Sequence, residues 1–310
     1  MVKKSYGLVL IMLLFVALFT NRSAAQDMPE KKLKKGRLIG VAATQAIGIG
    51  VTMYELSDIW YKDYPRTAFH FKSDMKVWHQ VDKTGHAYTA YTLAGPMADM
   101  YSWAGLGRKS SAIYGTLCSY LFMTSIEVLD GQSEEWGFSY GDMLANTAGA
   151  ALFLGQELGW EEQRVQLKFS YHNINYEPYY KANTDRLFGT SLTERMLKDY
   201  NAQTYWLSVS VHSFGVDWWP KWLNVAVGHG GEQMYGAYYN SWKDENGKYY
   251  DANHIPRLRQ WYISPDINFA AINTGSGFVN ALLDRLTIKL PAPTLEYRSN
   301  GKLKFHAIYF

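Results

Sequence analysis

The spacing of apolar positions changes once along this chain. Up to about residue 160, apolar and small residues recur at helical intervals. From Val165 onward they recur at every second position. The first part predicts four helices. Leu38 to Leu56 forms one, with Ala42, Ala46, Gly48 and Gly50 permitting close helix approach. Residues 61–75 are aromatic and broken by Pro65, which reads as a loop. A second helix is expected from about Met75 to Ala94, with Pro96 as a stop or kink and Met97 to Ala104 continuing helically. Gly105 to Lys109 is a basic turn. Ser110 or Ser111 would cap a third helix, Ala112 to Leu129. Ser139 would open a fourth, running to about Leu158.

The second part predicts strands. Val165, Leu167, Phe169 and Tyr171 alternate with Gln166, Lys168, Ser170 and His172, the pattern of a half-buried strand. The alternation returns from Tyr205 to His212, in Leu223-Val225-Val227, in Trp261-Ile263 and in Leu303-Phe305-Ala307-Tyr309. Tyr235 to Tyr239 reads as a further strand. Two short helices interrupt the series. One is opened by the capping box of Ser191 and Glu194, and the other runs from Phe278 to Leu286. Helices followed by strands give an α+β fold, an N-terminal helical bundle and then an antiparallel β region, and exclude a doubly wound sheet. The expected divisions are a signal peptide at 1–25, a basic leader at 26–37, a helical domain at 38–162 and the β region at 163–310. There is no internal repeat.

The leader carries the location. Lys3 and Lys4 precede an apolar run from Gly7 to Phe19, and Ser23-Ala24-Ala25 offers a small-residue cleavage site. The run is short for a membrane span. Export to the periplasm or outer membrane follows, and association with a membrane is the expected partnership, with protein partners unknown. Cleavage removes Lys3, Lys4 and Arg22 and no acid, so 28 basic residues face 28 acidic ones in the mature chain. That balance excludes nucleic acid as a partner, since phosphate backbones require a dense basic surface. The single cysteine, Cys118, can form no internal disulfide and reads as a small hydrophobe.

Candidate chemistry lies in two polar insertions within the apolar helical part. The first runs from Trp78 to His86, and on a continuous helix His79, Asp82, Lys83 and His86 would share one face. The second holds Glu127 and Asp130 at the end of the third helix, and Asp142 and Asn146 on the fourth. Three readings are open. In the first, the set is a buried network fixing helix register, with Lys83 paired to Glu127 or Asp142 and with His86 and Asn146 filling hydrogen-bond valences. In the second it is a metal site, although His79 and His86 stand two turns apart, longer than the one-turn spacing of a helical chelating pair. In the third, His86 is a general base with Asp82 or Glu127 as orienter and Lys83 steadying anionic charge. No metal and no cofactor is assigned. Asp142 has a structural role to hand, since Ser139-Tyr140-Gly141-Asp142 fits a capping box.

These residues carry a resemblance. Asp82-Lys83 with His86, then Glu127 with Asp130-Gly131, then Trp136-Gly137-Phe138-Ser139 with Asp142, Ala145-Asn146 and Gly149 resemble the uncharacterised YfiM-type family of bacterial envelope proteins, including its longer Bacteroidetes forms. The pattern is more distantly similar to VanZ-like helical membrane proteins. It covers about residues 75–155. The family has no established reaction, and this chain lacks the lipid-attachment cysteine of its small members. The C-terminal Leu303 to Phe310, closing on Phe, resembles the last strand of an outer-membrane barrel, with His306 as the departure. Two functions follow as expectations. One is a non-enzymatic outer-membrane or periplasmic accessory protein, and the other is an envelope hydrolase or transferase acting on lipid or cell-wall material.

Overall fold

The computed structural model describes residues 33–57, 61, 64–244 and 246–310. The signal segment and the leader up to residue 32 lie outside the described residues. In chain order the elements are α1 (Lys35–Leu56), β1 (Phe71–Lys72), α2 (Val81–Trp103), α3 (Arg108–Asp130), β2 (Phe138–Ser139), α4 (Tyr140–Gly159), β3 (Val165–Tyr171), α5 (Pro178–Phe188), α6 (Leu192–Lys198), β4 (Gln203–Val209), β5 (Leu223–Glu232), β6 (Ser241–Lys243), β7 (Tyr249–Asp251), β8 (Leu258–Ile267), α7 (Gly277–Asp284), β9 (Ala292–Arg298) and β10 (Leu303–Tyr309). The class is α+β, as the change of period implies. The chain divides into two compact units. One takes the described residues of Met1–Ser73, then His86–Gln163 and Phe269–Leu286. The other takes Asp74–Gly85, Arg164–Asn268 and Thr287–Phe310.

The helical unit has an apolar interior. Val41, Met100, Tyr101 and Ala104 form one buried cluster. Ala90, Phe122 and Met123 form another, with Ile49, Met53 and Leu93 against it. Small residues set the helix spacing. A methyl group on Gly115 would overlap the backbone of Ala98, and one on Gly149 would overlap the Ala87 carbonyl, so α4 lies directly on the α2 backbone. Pro96 does not stop α2, which continues to Trp103. The ring removes one backbone donor, but Ala94, Ala98 and Met100 on either side are buried in the core, and that packing holds the helix together. The segment around α7 joins this unit through Arg285, whose guanidinium donates to both carboxylate oxygens of Asp99 at 2.7 and 2.8 Å. Two helices, α1 and α3, are long and apolar enough to cross a membrane by length and composition.

The second unit is built on a six-stranded antiparallel sheet in the order β10-β9-β8-β5-β4-β3. Its polarity is the reverse of the half-buried strand expected from alternation. Gln166, Lys168 and Ser170 are the buried members of β3. The same holds for Ser208 on β4, Asn224 on β5, Gln260, Ser264 and Asp266 on β8, and Thr294 and Glu296 on β9. Trp206, Ala226 and Tyr262 are buried on this side as well, while the other apolar members face outward in cross-strand rows. One row is Phe169, Tyr205, His229, Trp261, Tyr297 and Leu303, and the next is Leu167, Leu207, Val227, Ile263, Leu295 and Phe305.

Much of the buried polar face finds partners because the sheet curls on itself. Lys168 on β3 reaches Asp266 on β8 at 2.7 Å although β4 and β5 lie between. Tyr309 on β10 meets the Thr204 hydroxyl of β4 at 3.0 Å and donates to Tyr262 at 2.8 Å. Trp206 donates to Ser170 at 2.9 Å. His306, the departure from a membrane strand in the sequence, points to this inner face and stands 2.6 Å from Glu296.

The sheet does not close into a barrel. β3 and β10 do not pair. The outer rim of β3 is taken by residues 287–289, where the Phe169 N–H donates to the Thr287 carbonyl at 2.9 Å and the Lys289 N–H donates to the Phe169 carbonyl at 2.8 Å. A rim already bonded cannot accept β10. Tyr235 to Tyr239 is not a strand but an irregular turn, held by Asn240, whose side chain accepts from the Tyr235 N–H at 2.8 Å. A small β6–β7 hairpin follows it.

Candidate functional site

The Trp78–His86 insertion is not one helix. α2 begins at Val81. Ahead of it Trp78, His79 and Gln80 form a left-handed turn with φ of 47°, 52° and 63°. Side chains with a Cβ rarely adopt such angles, at roughly 1–3 kcal/mol each, and surrounding contacts must hold them. Those contacts come from the sheet unit. The Trp78 N–H donates to the Ala237 carbonyl at 3.0 Å, and its ring packs on Phe188 and Tyr200. The His79 carbonyl bonds the His229 ring at 2.9 Å, and Arg259 donates to the Gln80 side chain.

His79 is therefore off the stripe predicted for it. It faces Arg257, Arg259 and His229, and burial, with those cations, holds its pKa down to about 4. Lys83 and Asp82 begin α2 in the same unit, both nearly buried. The Lys83 ammonium lies 2.6 Å from Asp74 and 3.0 Å from Asp82. Asp74 was not singled out by the sequence, because helical spacing does not reach back across the turn.

In the helical unit three helices bring His86, Glu127, Asp142 and Asn146 together. His86 Nδ1 stands 3.3 Å from Asn146 Oδ1 and 3.5 Å from Glu127 Oε1, and its Nε2 stands 3.7 Å from Asp142 Oδ1. The Glu127 side chain is wholly enclosed, that of Asp142 is 7% exposed and that of His86 is 19% exposed. Local structure positions each of them. Ser139 caps α4 by accepting from the Asp142 N–H at 3.0 Å, which fixes Asp142 in the first turn, where the helix dipole favours an anion. The Ser139 N–H in turn donates to Glu127 Oε2 at 3.2 Å. Asn146 follows Asp142 by one turn. Asp130 lies at the end of α3, where it accepts from the Tyr61 hydroxyl at 2.6 Å.

One ligand atom each from His86, Glu127 and Asp142 lie within 4.8 Å of one another. An imidazole and two carboxylates so placed could hold a small divalent cation. They could equally share protons around the ring, with Glu127 behind Nδ1 as an orienter. A small cavity in the same unit, lined by Tyr61, Tyr64, Arg66 and Gln132 among others, includes none of these four residues.

Residues 71–154, about a quarter of the chain, match the model of a family described as "Predicted periplasmic lipoprotein (DUF2279)". The matched segment contains every residue of the predicted polar set. It supports likeness to an uncharacterised envelope family without singling out the YfiM-type or VanZ-like families. Its description agrees with export to the periplasm or outer membrane. No curated protein and no solved structure matches the chain.

Proposed function

We propose that the protein is a non-enzymatic accessory protein of the cell envelope, at the outer membrane or in the periplasm, whose buried polar set fixes the register of α2, α3 and α4. The enclosure of the two carboxylates carries this reading: Glu127 has no exposed side-chain surface and Asp142 has 7%. Buried groups so placed specify one packing arrangement, because any slip of a helix would strand them without partners.

One observation favours a second reading. His86 keeps some accessible surface with Glu127 Oε1 at 3.5 Å behind its Nδ1, the relation of a base to its orienter. That reading makes the protein an envelope hydrolase or transferase acting on lipid or cell-wall material.

His86→Ala and Lys83→Met separate the two. Each variant is scored for folded yield, melting temperature and envelope integrity in a deletion strain. The register reading expects integrity to fall in step with stability. Loss of integrity at unchanged yield and melting temperature would overturn it in favour of the second reading.

A further inference from the structure

The outward face of the six-stranded sheet is unexplained by the polar set. No Asp, Glu, Lys or Arg stands in its two longest cross-strand rows; the first is covered by the chain itself where His229 meets the His79 carbonyl and Tyr205 lies against Gly85, and the second is open. Leu207, Val227, Ile263 and Phe305 are 41%, 52%, 50% and 67% exposed there. The opposite face holds the Lys168–Asp266 pair, exposed by 0% and 1%. It also holds Glu296, which accepts from Gln260 at 2.7 Å and faces His306 at 2.6 Å. A sheet folded against water places these two classes the other way round. Polar side chains inside and aliphatic ones outside suit a solvent that is itself hydrocarbon.

The ends of the face carry charge that fits such a solvent. One alternate position beyond Trp261 on β8, the Arg259 guanidinium lies 6.0 Å from the Trp261 ring. At the other end, beside the start of β3, Arg164 lies 5.8 Å from the Phe214 ring. Trp218 and Trp222 are 79% and 54% exposed in the same β4–β5 connection. An uncharged band fringed by two cation–aromatic ends complements acyl chains fringed by anionic headgroups.

We propose that this face rests on the acyl chains of one leaflet of a phospholipid bilayer, with Arg259 and Arg164 among the headgroups at its two ends. The contact belongs to the face and not to the rim of β10, whose unpaired backbone would be costly in hydrocarbon. The inference rests on the envelope location alone and goes beyond the register role of the polar set.

The test uses the full chain with Cys118→Ser and single labelling sites at Val227→Cys, Ile263→Cys or Trp218→Cys. Each carries an environment-sensitive dye and is mixed with vesicles of phosphatidylethanolamine and phosphatidylglycerol. The dyes at 227 and 263 are expected to be quenched more by a nitroxide deep in the acyl chain than by one on the headgroup, and the dye at 218 the reverse. Val227→Lys, kept folded by circular dichroism, is expected to lower the vesicle-bound fraction about 30-fold or more. Dyes at 227 and 263 that stay open to aqueous iodide in bound protein overturn the proposal. So does disulfide cross-linking of Val227→Cys between copies without lipid quenching, which would make the face a protein interface. Because no readout involves His86, failure here leaves the register reading standing, and the converse also holds.

Discussion

In the helical unit the buried positions include Ala90, Met100, Phe122 and Phe153, with buried polar side chains around His86 and at Gln45, Thr116, Ser119 and Gln156 among them. In the sheet unit the buried positions include Gln166, Lys168, Ser208, Asp266 and Glu296, while Leu207, Val227 and Phe305 are on the outside. The sheet thus turns its aliphatic rows outward around a polar and aromatic interior, whereas the helical unit keeps an apolar interior and also exposes Ile47, Leu117, Leu121 and Leu144. The difference teaches that alternation identifies two faces of a strand but not which is inner. For helices the apolar stripe was the inner one. For this sheet the curl brings partners such as Lys168 and Asp266 across the concave side, and an ion pair supported by the Ser208 hydroxyl and the Ile267 carbonyl can occupy an interior that aliphatic groups would otherwise fill.

The sharpest way to break this comparison is to unpair the sheet interior. Asp266→Leu leaves the Lys168 ammonium buried without its carboxylate and removes the acceptor of the Ser208 hydroxyl, now at 2.6 Å. A loss of about 3–5 kcal/mol in chemical denaturation is expected, and the double variant with Lys168→Met should recover most of it. A loss of less than about 1 kcal/mol in the single variant would mean that water reaches the inner face.

Asp199 gives the next largest effect, between α6 and β4. Burial raises its carboxyl to about 6 from 3.8, against the opposing bond from the Tyr176 hydroxyl at 2.6 Å. A carboxyl raised on folding contributes stability that is full below its unfolded pKa and is lost as pH climbs through the folded one. Stability should therefore decline between about pH 4 and pH 6, by up to about 3 kcal/mol from this group. Asp199→Asn should flatten that decline, as measured by melts across the same range.

The helical unit is probed by Gly149→Ala. The added methyl meets the Ala87 carbonyl, and forcing α4 away from α2 should cost about 2 kcal/mol. The smallest effect is expected on the outer sheet face. Val227→Thr at a half-exposed position should change aqueous stability by less than about 0.5 kcal/mol, in contrast to any substitution on the inner face of the same strand.

Much of the chain was legible because local chemistry decides it. β3 and β10 fall where the alternation places them. The Ser191–Glu194 box opens α6 with both of its bonds present, Ser191 Oγ accepting at 3.2 Å and Glu194 accepting at 3.1 Å. Ser139 caps α4 as its spacing implies. His86, Glu127, Asp142 and Asn146 were also within reach, because each lies on a helix whose period is clear. The features that escaped depend on distant parts of the chain. The left-handed turn at Trp78–Gln80 is held by Ala237, Phe188 and His229, none of which local spacing can supply. That turn also rotates His79 out of the set. α5 was hidden because its buried face mixes Tyr180, Asn183, Thr184 and Phe188, so no apolar stripe marks it. The assignment of α7 to the helical unit depends on long-range contacts such as the pair of Arg285 and Asp99.

The bond between Phe169 and residues 287–289 also limits how copies of this chain could join through their edges. With the middle of that rim blocked at Phe169, β10 is the strand rim of the six-stranded sheet best able to accept a further strand among the described residues. Two such rims meeting antiparallel would consume each other and leave nothing to recruit a third. Edge-to-edge assembly of this sheet is therefore self-terminating at a pair, where a sheet with two bare rims would be a template for fibres.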